Sequence, residues 1–440
     1  MSSIAIFGAG RVGLVTAACL ADFGNVAVCV DPDARRIGGL ASGETPFREE
    51  GLAELVSRNV LAGRLSFSVD PGPAIRASEI LFIAVGTPPA GDGSADLGAV
   101  EAAAREIGRR MEGYRIIVEK STAPVGTGRR IGAWLGEELA KRRAVGDFDV
   151  VANPEFLREG SAVGDFLRPD RVVIGAESSR ALEAMRELYH PLHEGSTPFV
   201  ETDLESAEMA KCASNAFLAV KLAFVNEMAS LCERVGADSG LVAAAMGMDR
   251  RIGPGCLEAG PGFGGPCLPK DAAAFADMAR RRGSRARIVE AAVLANDEHR
   301  RAMVDKIESA LGSAGGKTIA VLGLAFKAGT EDVREAPAMG IIEGLVARGG
   351  RVKAYDPAAM GEARLRLCDL DGGMEYCADE YEAARGADAL VILTEWEAFR
   401  NLDLRVLKGL LRRPILCDLR NLYDRSDAEE LGFAYIGVGR

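Results

Sequence analysis

The stretch SIAIFGAGRVGLVTAACLADFG at positions 3–24 constrains the fold more than any other. A strand-like apolar run reaches Gly8, Gly10 and Gly13 in GxGxxG spacing, with Val12 inside the motif, and an alanine-rich helical run follows. Glycines so spaced let a strand turn tightly into a helix and let backbone approach a pyrophosphate at the helix N-terminus. The next strand, AVCVD, ends on Asp31, where a carboxylate can accept hydrogen bonds from ribose hydroxyls. An acid there repels a 2′-phosphate and favours NAD over NADP, while Arg36 close by keeps both cofactors in play.

Further apolar runs, EILFIAVGT, YRIIVEKST and FDVVANPE, alternate with helical segments such as LGAVEAAAREIGRRM. That alternation predicts a parallel α/β sheet over residues 1–200. From 204 to 235 the pattern becomes one long apolar-periodic helix, LESAEMAKCASNAFLAVKLAFVNEMASLCERV, which opens a helical middle domain over 201–311. After GSAGGK at 312–317 the strand-turn pattern restarts with KTIAVLGLAFK, RVKAYDP, ADALVILTEW and PILCDLR. The fold class is therefore α/β, with two Rossmann-like parallel-sheet domains joined by a long central helix and a helical middle domain. GLAFKAG in the last domain, 312–440, does not complete GxGxxG, so that sheet is expected to serve another ligand.

Composition narrows the partners. A net charge of −11 argues against a basic face for nucleic acid. The first strand begins at the third residue with no signal-peptide pattern ahead of it, and no apolar run looks long enough to span a bilayer. Nine scattered cysteines form neither a disulfide framework nor a paired metal pattern, so no metal and a reducing cytoplasm are expected.

Several residues carry candidate chemistry. Thr87 in VGTPP and Thr122 in EKSTAPVGT follow apolar strands, where doubly wound sheets bind ligands, although either threonine also suits a turn. In NPEFLREG, Glu155 and Glu159 share one face if the segment is helical and offer a general base; helix-dipole compensation is the alternative. Lys211 and Asn215, four apart on the long helix, are candidates to hold an oxyanion or else form a solvent-facing stripe. GFGGPCLPKD at 262–271 sets Cys267 just ahead of a helix start, with Lys270 and Asp271 behind it. A cation or a helix N-terminus lowers a thiol pKa, which suits a nucleophile, and the glycines then form a close-approach surface for substrate. The other eight cysteines are expected to pack. In GLAFKAGTEDVREAP, Lys327 and Arg334 lie in a glycine-containing turn, and Arg420 follows ILCD; such cations suit a second diphosphate, with surface salt bridging the alternative.

Together, GAGRVG, VGTP, EKST, NPEFLREG, KCASNAFLAVK, RIGPGCLEAGPGFGGPCLPKD and GLAFKAGTEDVREAP resemble the UDP-glucose/GDP-mannose dehydrogenase family, and its UDP-glucose branch most closely. The resemblance covers essentially the whole chain. It implies oxidation of a sugar C6 alcohol to a carboxylate with two NAD molecules, through a thiohemiacetal and a thioester on Cys267. It further implies that Lys211 and Asn215 stabilise an oxyanion and that Asp271 positions water or relays protons. Glu155 would act as base in thioester hydrolysis, supported by Thr122. Glu159, Lys270, Arg334 and the Thr87 and Thr122 loops would touch NAD. Phe156, Leu157, Phe263, Gly264, Lys327 and Arg420 would contact the UDP-sugar beside Glu155, Lys211 and Asn215. A homodimer or higher oligomer through the long helix is implied, with Arg251 reaching the sugar site of the neighbouring subunit. Two residues depart from the family pattern: Pro266 replaces a serine, removing a hydroxyl and a backbone donor, and Cys256 replaces an aromatic. GDP-mannose, UDP-N-acetyl-hexosamines and a catalytically silent sensor remain alternative readings.

Overall fold

The computed structural model describes residues 2–91, 94–143, 147–370 and 372–440, and it divides into two compact units, Met1–Ser214 and Asn215–Arg440. The first unit is built on eight strands: β1 (Ser3–Phe7), β2 (Val26–Val30), β3 (Leu65–Ser68), β4 (Ile80–Ile83), β5 (Arg115–Glu119), β6 (Phe148–Ala152), β7 (Val172–Ala176) and β8 (Phe199–Thr202). They lie in the order β3-β2-β1-β4-β5-β6-β7-β8, and every neighbouring pair is parallel except β6 and β7, which run antiparallel. Central strands are apolar without a break because both faces of the sheet are covered. Ile4, Ile6, Ile80 and Phe82 enter one core. Their neighbours Ala5, Phe7, Leu81 and Ile83 enter the other, as period-two side chains must.

The order reverses at β1, which pairs with β2 on one side and β4 on the other. A crevice opens beyond the carboxyl ends of strands at such a switch point. The glycine turn after β1 and the VGTPP segment after β4 therefore meet. An added Cβ would lie 2.6 Å from the Ala84 carbonyl oxygen at Gly8, whose φ is +106°, and 1.9 Å from the Gly8 oxygen at Gly13. Gly10 has open space instead, and it begins the helix Arg11–Asp22 with no side chain capping the first N–H groups.

The second unit holds a wholly parallel six-stranded sheet: β9 (Thr318–Leu322), β10 (Arg351–Tyr355), β11 (Met374–Tyr376), β12 (Ala389–Ile392), β13 (Ile415–Asp418) and β14 (Ala434–Ile436), in the order β11-β10-β9-β12-β13-β14. Its topology repeats the first, yet the acid after β10 is used differently. Asp356 accepts from Leu324 N–H, Ala325 N–H and the Trp396 indole through one oxygen, and from Ala358 N–H and Ala359 N–H through the other. A carboxylate offers about four lone-pair sites, so Asp356 is saturated by its own loop and by the segments that follow β9 and β12. Asp31 receives Ala9 N–H, Asp33 N–H and Arg36 and retains capacity for a ribose.

Helix Leu204–Val235, of 32 residues, carries the border between the units. By length and composition it is long and apolar enough to cross a membrane, contrary to the expectation from its interrupted sequence. The interrupting groups Lys211, Asn215 and Asn226 are buried against protein partners. No two of the nine cysteines are bridged. Cys256 and Cys368 are exposed, which corrects their assignment to packing; the apolar neighbours that prompted it, such as Leu257 and Leu367, turn inward.

Candidate active site

In the first unit, loops from the carboxyl ends of three adjacent strands converge on one helix. Thr87, after β4, donates its hydroxyl to the Thr122 carbonyl oxygen at 2.6 Å. Thr122, after β5, donates its own hydroxyl to Glu155 Oε1 at 3.3 Å. Glu155, after β6, accepts the Leu157 N–H at 2.6 Å through Oε2 and faces Lys211 Nζ at 3.1 Å through Oε1. The pattern that read as separate strand-end signals is thus one hydrogen-bonded chain ending on the long helix.

Burial by itself would raise the Glu155 pKa, but the Lys211 ammonium and the Leu157 N–H hold it below the ordinary carboxyl range. The Phe156 ring lies 5.3 Å from Lys211 Nζ and is covered on its face by Arg171 at 3.5 Å. Leu157 packs at the margin of the core that holds Ile4 and Phe82. Glu159 does not share a helix face with Glu155, because residues 153–158 form a loop. Pro154 disfavours helical backbone at Asn153, the Glu155 side chain takes the Leu157 N–H, and Glu159 instead pairs with Arg11 at 3.3 Å near the glycine turn.

In the second unit, Cys267 is exposed and serves as the N-cap of helix Leu268–Arg281, whose first turn includes Lys270 and Asp271. Its carbonyl accepts the Asp271 N–H at 2.8 Å. Asp271 is buried; one carboxylate oxygen accepts Asn215 Nδ2 at 2.6 Å and the other faces Lys270 Nζ at 3.1 Å. Asn215, four residues after Lys211 on the same helix, is thereby fixed as a donor rather than left in a solvent-facing stripe.

The glycines ahead of Cys267 have a packing reason inside the protein. A Cβ on Gly264 would lie 2.2 Å from the Glu335 carbonyl oxygen, and on Gly265, with φ +85°, 2.7 Å from the Phe326 ring. Asn296 grips Phe263 from both sides, accepting its N–H at 2.8 Å and donating to its carbonyl at 3.1 Å. Arg300 donates to the same carbonyl at 2.5 Å and to the Glu335 carbonyl at 2.7 Å. Arg420 braces the neighbouring turn, donating to the carbonyls of Leu393 and Phe326 and pairing with Glu395. Lys327 sits beside the Phe326 ring, Arg334 pairs with Asp332, and exposed Arg251 pairs with Asp249.

Sequence reasoning passed over the groups that hold these loops. Lys120 is buried against the Asn153 amide oxygen at 3.1 Å, which also accepts the Tyr189 hydroxyl at 2.7 Å; burial brings the Lys120 pKa down to about 8. Charged residues closing an apolar strand, as Glu119 and Lys120 close RIIVEK, were the available signal. Asn296, His299 and Arg300 share one helix face in ANDEHRR, and His299 contacts the Gly260 carbonyl at 2.8 Å.

Comparison with known proteins gives matches along the whole chain. Three family models fit it: the NAD binding domain of the UDP-glucose/GDP-mannose dehydrogenase family over residues 2–193, its central domain over 205–298 and its UDP binding domain over 320–425. The chain is 48% identical to the UDP-glucose 6-dehydrogenase of Rhizobium meliloti (strain 1021), over 99% of both chains. It is 47% identical to the UDP-glucose 6-dehydrogenase TuaD of Bacillus subtilis (strain 168), over 100% of this chain and 94% of that one. A solved UDP-glucose dehydrogenase from Pyrobaculum islandicum matches with a TM-score of 0.91 at 38% identity, covering 100% of this chain and 98% of that one.

Removing one member of a buried ion pair strands the other charge, at a cost of about 3–5 kcal/mol. Lys211→Met is therefore expected to lower the urea midpoint at neutral pH. Because the folded Glu155 pKa is depressed, its stabilisation is complete above the unfolded value of about 4.3 and is lost as pH falls through the folded value. The difference between wild type and variant should accordingly shrink in acid; urea melts that show the same difference at every pH would contradict the pairing.

Proposed function

This chain belongs to the UDP-glucose/GDP-mannose dehydrogenase family, with NAD as cofactor, and we propose that it oxidises UDP-glucose to UDP-glucuronate through a covalent adduct on Cys267. The observation that carries this reading is an exposed thiol at a helix N-terminus whose first turn holds a buried, hydrogen-bonded aspartate. A simple two-electron dehydrogenase has no use for such a thiol.

The glycine turn fits a dinucleotide. Crowding at Gly8 and Gly13 draws the backbone in, Gly10 leaves room for phosphate at uncapped helix N–H groups, and Asp31 has acceptor capacity for a ribose. NAD, when bound, accepts a hydride in each of the two oxidations. Arg36, tied to Asp31 at 2.9 Å, shields the acid without displacing it. Glu159, held by Arg11, sits beside this turn; Lys270 and Arg334 are the further cofactor contacts we assign.

Cys267 Sγ adds to the C6 aldehyde, and the carbonyl oxygen gains the proton that the thiol loses. The resulting thiohemiacetal keeps the reactive aldehyde from escaping and presents a C–H bond for the second oxidation. Lys211 and Asn215 supply a cation and an N–H donor for oxygen charge as it develops. Water then attacks the thioester carbon, the C–S bond breaks, and the thiol regains a proton. Glu155, ionised at neutral pH and oriented by Thr122, accepts the proton from that water. Asp271 orients Asn215 and relays a proton near the thiol. Phe156 and Leu157 in the first unit, and Phe263, Gly264, Lys327 and Arg420 in the second, are the residues we assign to the nucleotide sugar, with Lys327 and Arg420 compensating the diphosphate in an acidic chain. Saturation of Asp356 by protein donors supports a mononucleotide diphosphate in the second sheet rather than a second dinucleotide.

The enzyme is expected to release two NADH per UDP-glucose consumed, read by absorbance against product analysis over a panel of nucleotide sugars. Cys267→Ser should abolish the second oxidation. A wild-type ratio near one, turnover confined to another sugar nucleotide, or unchanged oxidation by Cys267→Ser would each contradict the proposal.

We further infer a homodimer through the long helix. Phe217, Phe224 and Leu231 recur every seven residues and are 65%, 52% and 60% exposed, a continuous apolar stripe of the kind that marks an interface. Arg251 is exposed and available to a neighbouring subunit. Phe224→Asp is expected to halve the mass measured by light scattering; a wild-type monomer, or an unchanged oligomer in the variant, would overturn the assignment.

A further inference from the structure

Two buried acids beside the first-unit cluster have no part in the chemistry above. Glu119, the last residue of β5, is 3% exposed, and Glu208, on the long helix one turn before Lys211, is 4% exposed. Glu208 is well placed as an anion: Oε2 accepts the Gly126 N–H at 2.6 Å and Oε1 the Gly128 N–H at 2.7 Å, at the start of helix Thr127–Arg142. Glu119 is the reverse. Both of its oxygens are fully buried and neither meets a donor among the described residues. The two carboxyls converge on one spot, since a Cβ on Gly128 would lie 3.3 Å from Glu208 Oε1 and 3.5 Å from Glu119 Oε2.

We propose that Glu119 and Glu208 share a single proton, with Glu119 as the neutral acid donating to the Glu208 carboxylate, and that this clasp positions the Thr122 loop against the helix carrying Lys211. Protonation turns Glu119 from an acceptor with nothing to accept into the one donor the site lacks, and it removes the repulsion of two adjacent anions. Burial and then the Glu208 charge push the Glu119 pKa well above the ordinary range, and burial raises Glu208 as well. Charges facing the pair are otherwise matched: Glu205 with Arg129, and Lys211 with Glu155, while Lys120 turns to Asn153. The geometry also gives the clasp its purpose. Glu119 and Glu208 line the same small cavity as Thr122 and Lys211, so holding segment 121–128 to the helix sets the distance between the two groups that orient Glu155. Glu119 is thus a positioning residue.

The test compares Glu119→Gln with Glu119→Met. Both fill the space; only glutamine keeps a donor toward Glu208. An infrared band of a protonated carboxyl should be present in the cofactor-free wild type at neutral pH and be lost in Glu119→Gln; this measurement is independent of any substrate and of the proposed function. In turnover, which rests on that function, Glu119→Met should lower kcat by about tenfold or more, the scale of one lost hydrogen bond to a charged group, and Glu119→Gln should restore it. As pH rises and the shared proton leaves, wild-type kcat should fall, with the alkaline limb displaced upward in Glu119→Gln. No lost infrared band, or equal activity of the glutamine and methionine variants, would overturn the proposal.

Discussion

The buried pair of Lys211 with Glu155 is the interaction on which the first-unit cluster depends. It joins the carboxyl end of β6 to the long helix, and it is the end of a hydrogen-bonded run that starts at Thr87 and passes through Thr122. A buried carboxylate is tolerated only where a cation and N–H donors replace water. Here they do so well enough to keep Glu155 ionised, the state that a base for water needs. Three strand-end loops are therefore fixed relative to one another by the same contacts that keep Glu155 charged.

A second constraint is crowding around the loop before Cys267. Gly264 and Gly265 are required because Glu335 and Phe326 pass too close for any side chain, and Asn296 and Arg300 then hold Phe263 between them. The thiol is delivered to an exposed helix N-cap by a loop that has little freedom of its own. Pro266 adds to that restriction by fixing one more φ angle.

Much of this was legible in the chain, for identifiable reasons. The two sheets announced themselves because buried parallel strands are apolar on both faces and because Gly8, Gly10 and Gly13 mark a turn that few folds need. Cys267, Lys211 and Asn215 stood out because a thiol, a cation and an amide are unusual beside glycine turns or in an apolar helix. What stayed hidden depends on contacts distant in sequence. The i, i+4 spacing of Glu155 and Glu159 suggested a shared face, but local backbone made a loop and sent Glu159 to Arg11. The packing role of the glycines in GFGG stayed hidden, since nothing near them in sequence reveals Phe326 or Glu335 overhead. Asp356 matches Asp31 in place and residue type, and only its five donors set the two sheets apart.

The central claim is covalent catalysis by Cys267, and the most direct test is to acid-quench the enzyme during turnover and weigh its peptides. The account predicts a sugar-nucleotide acyl adduct on the peptide containing Cys267. NADH production with no adduct there, or with the adduct on Cys256 or Cys368, the other exposed cysteines, would contradict it.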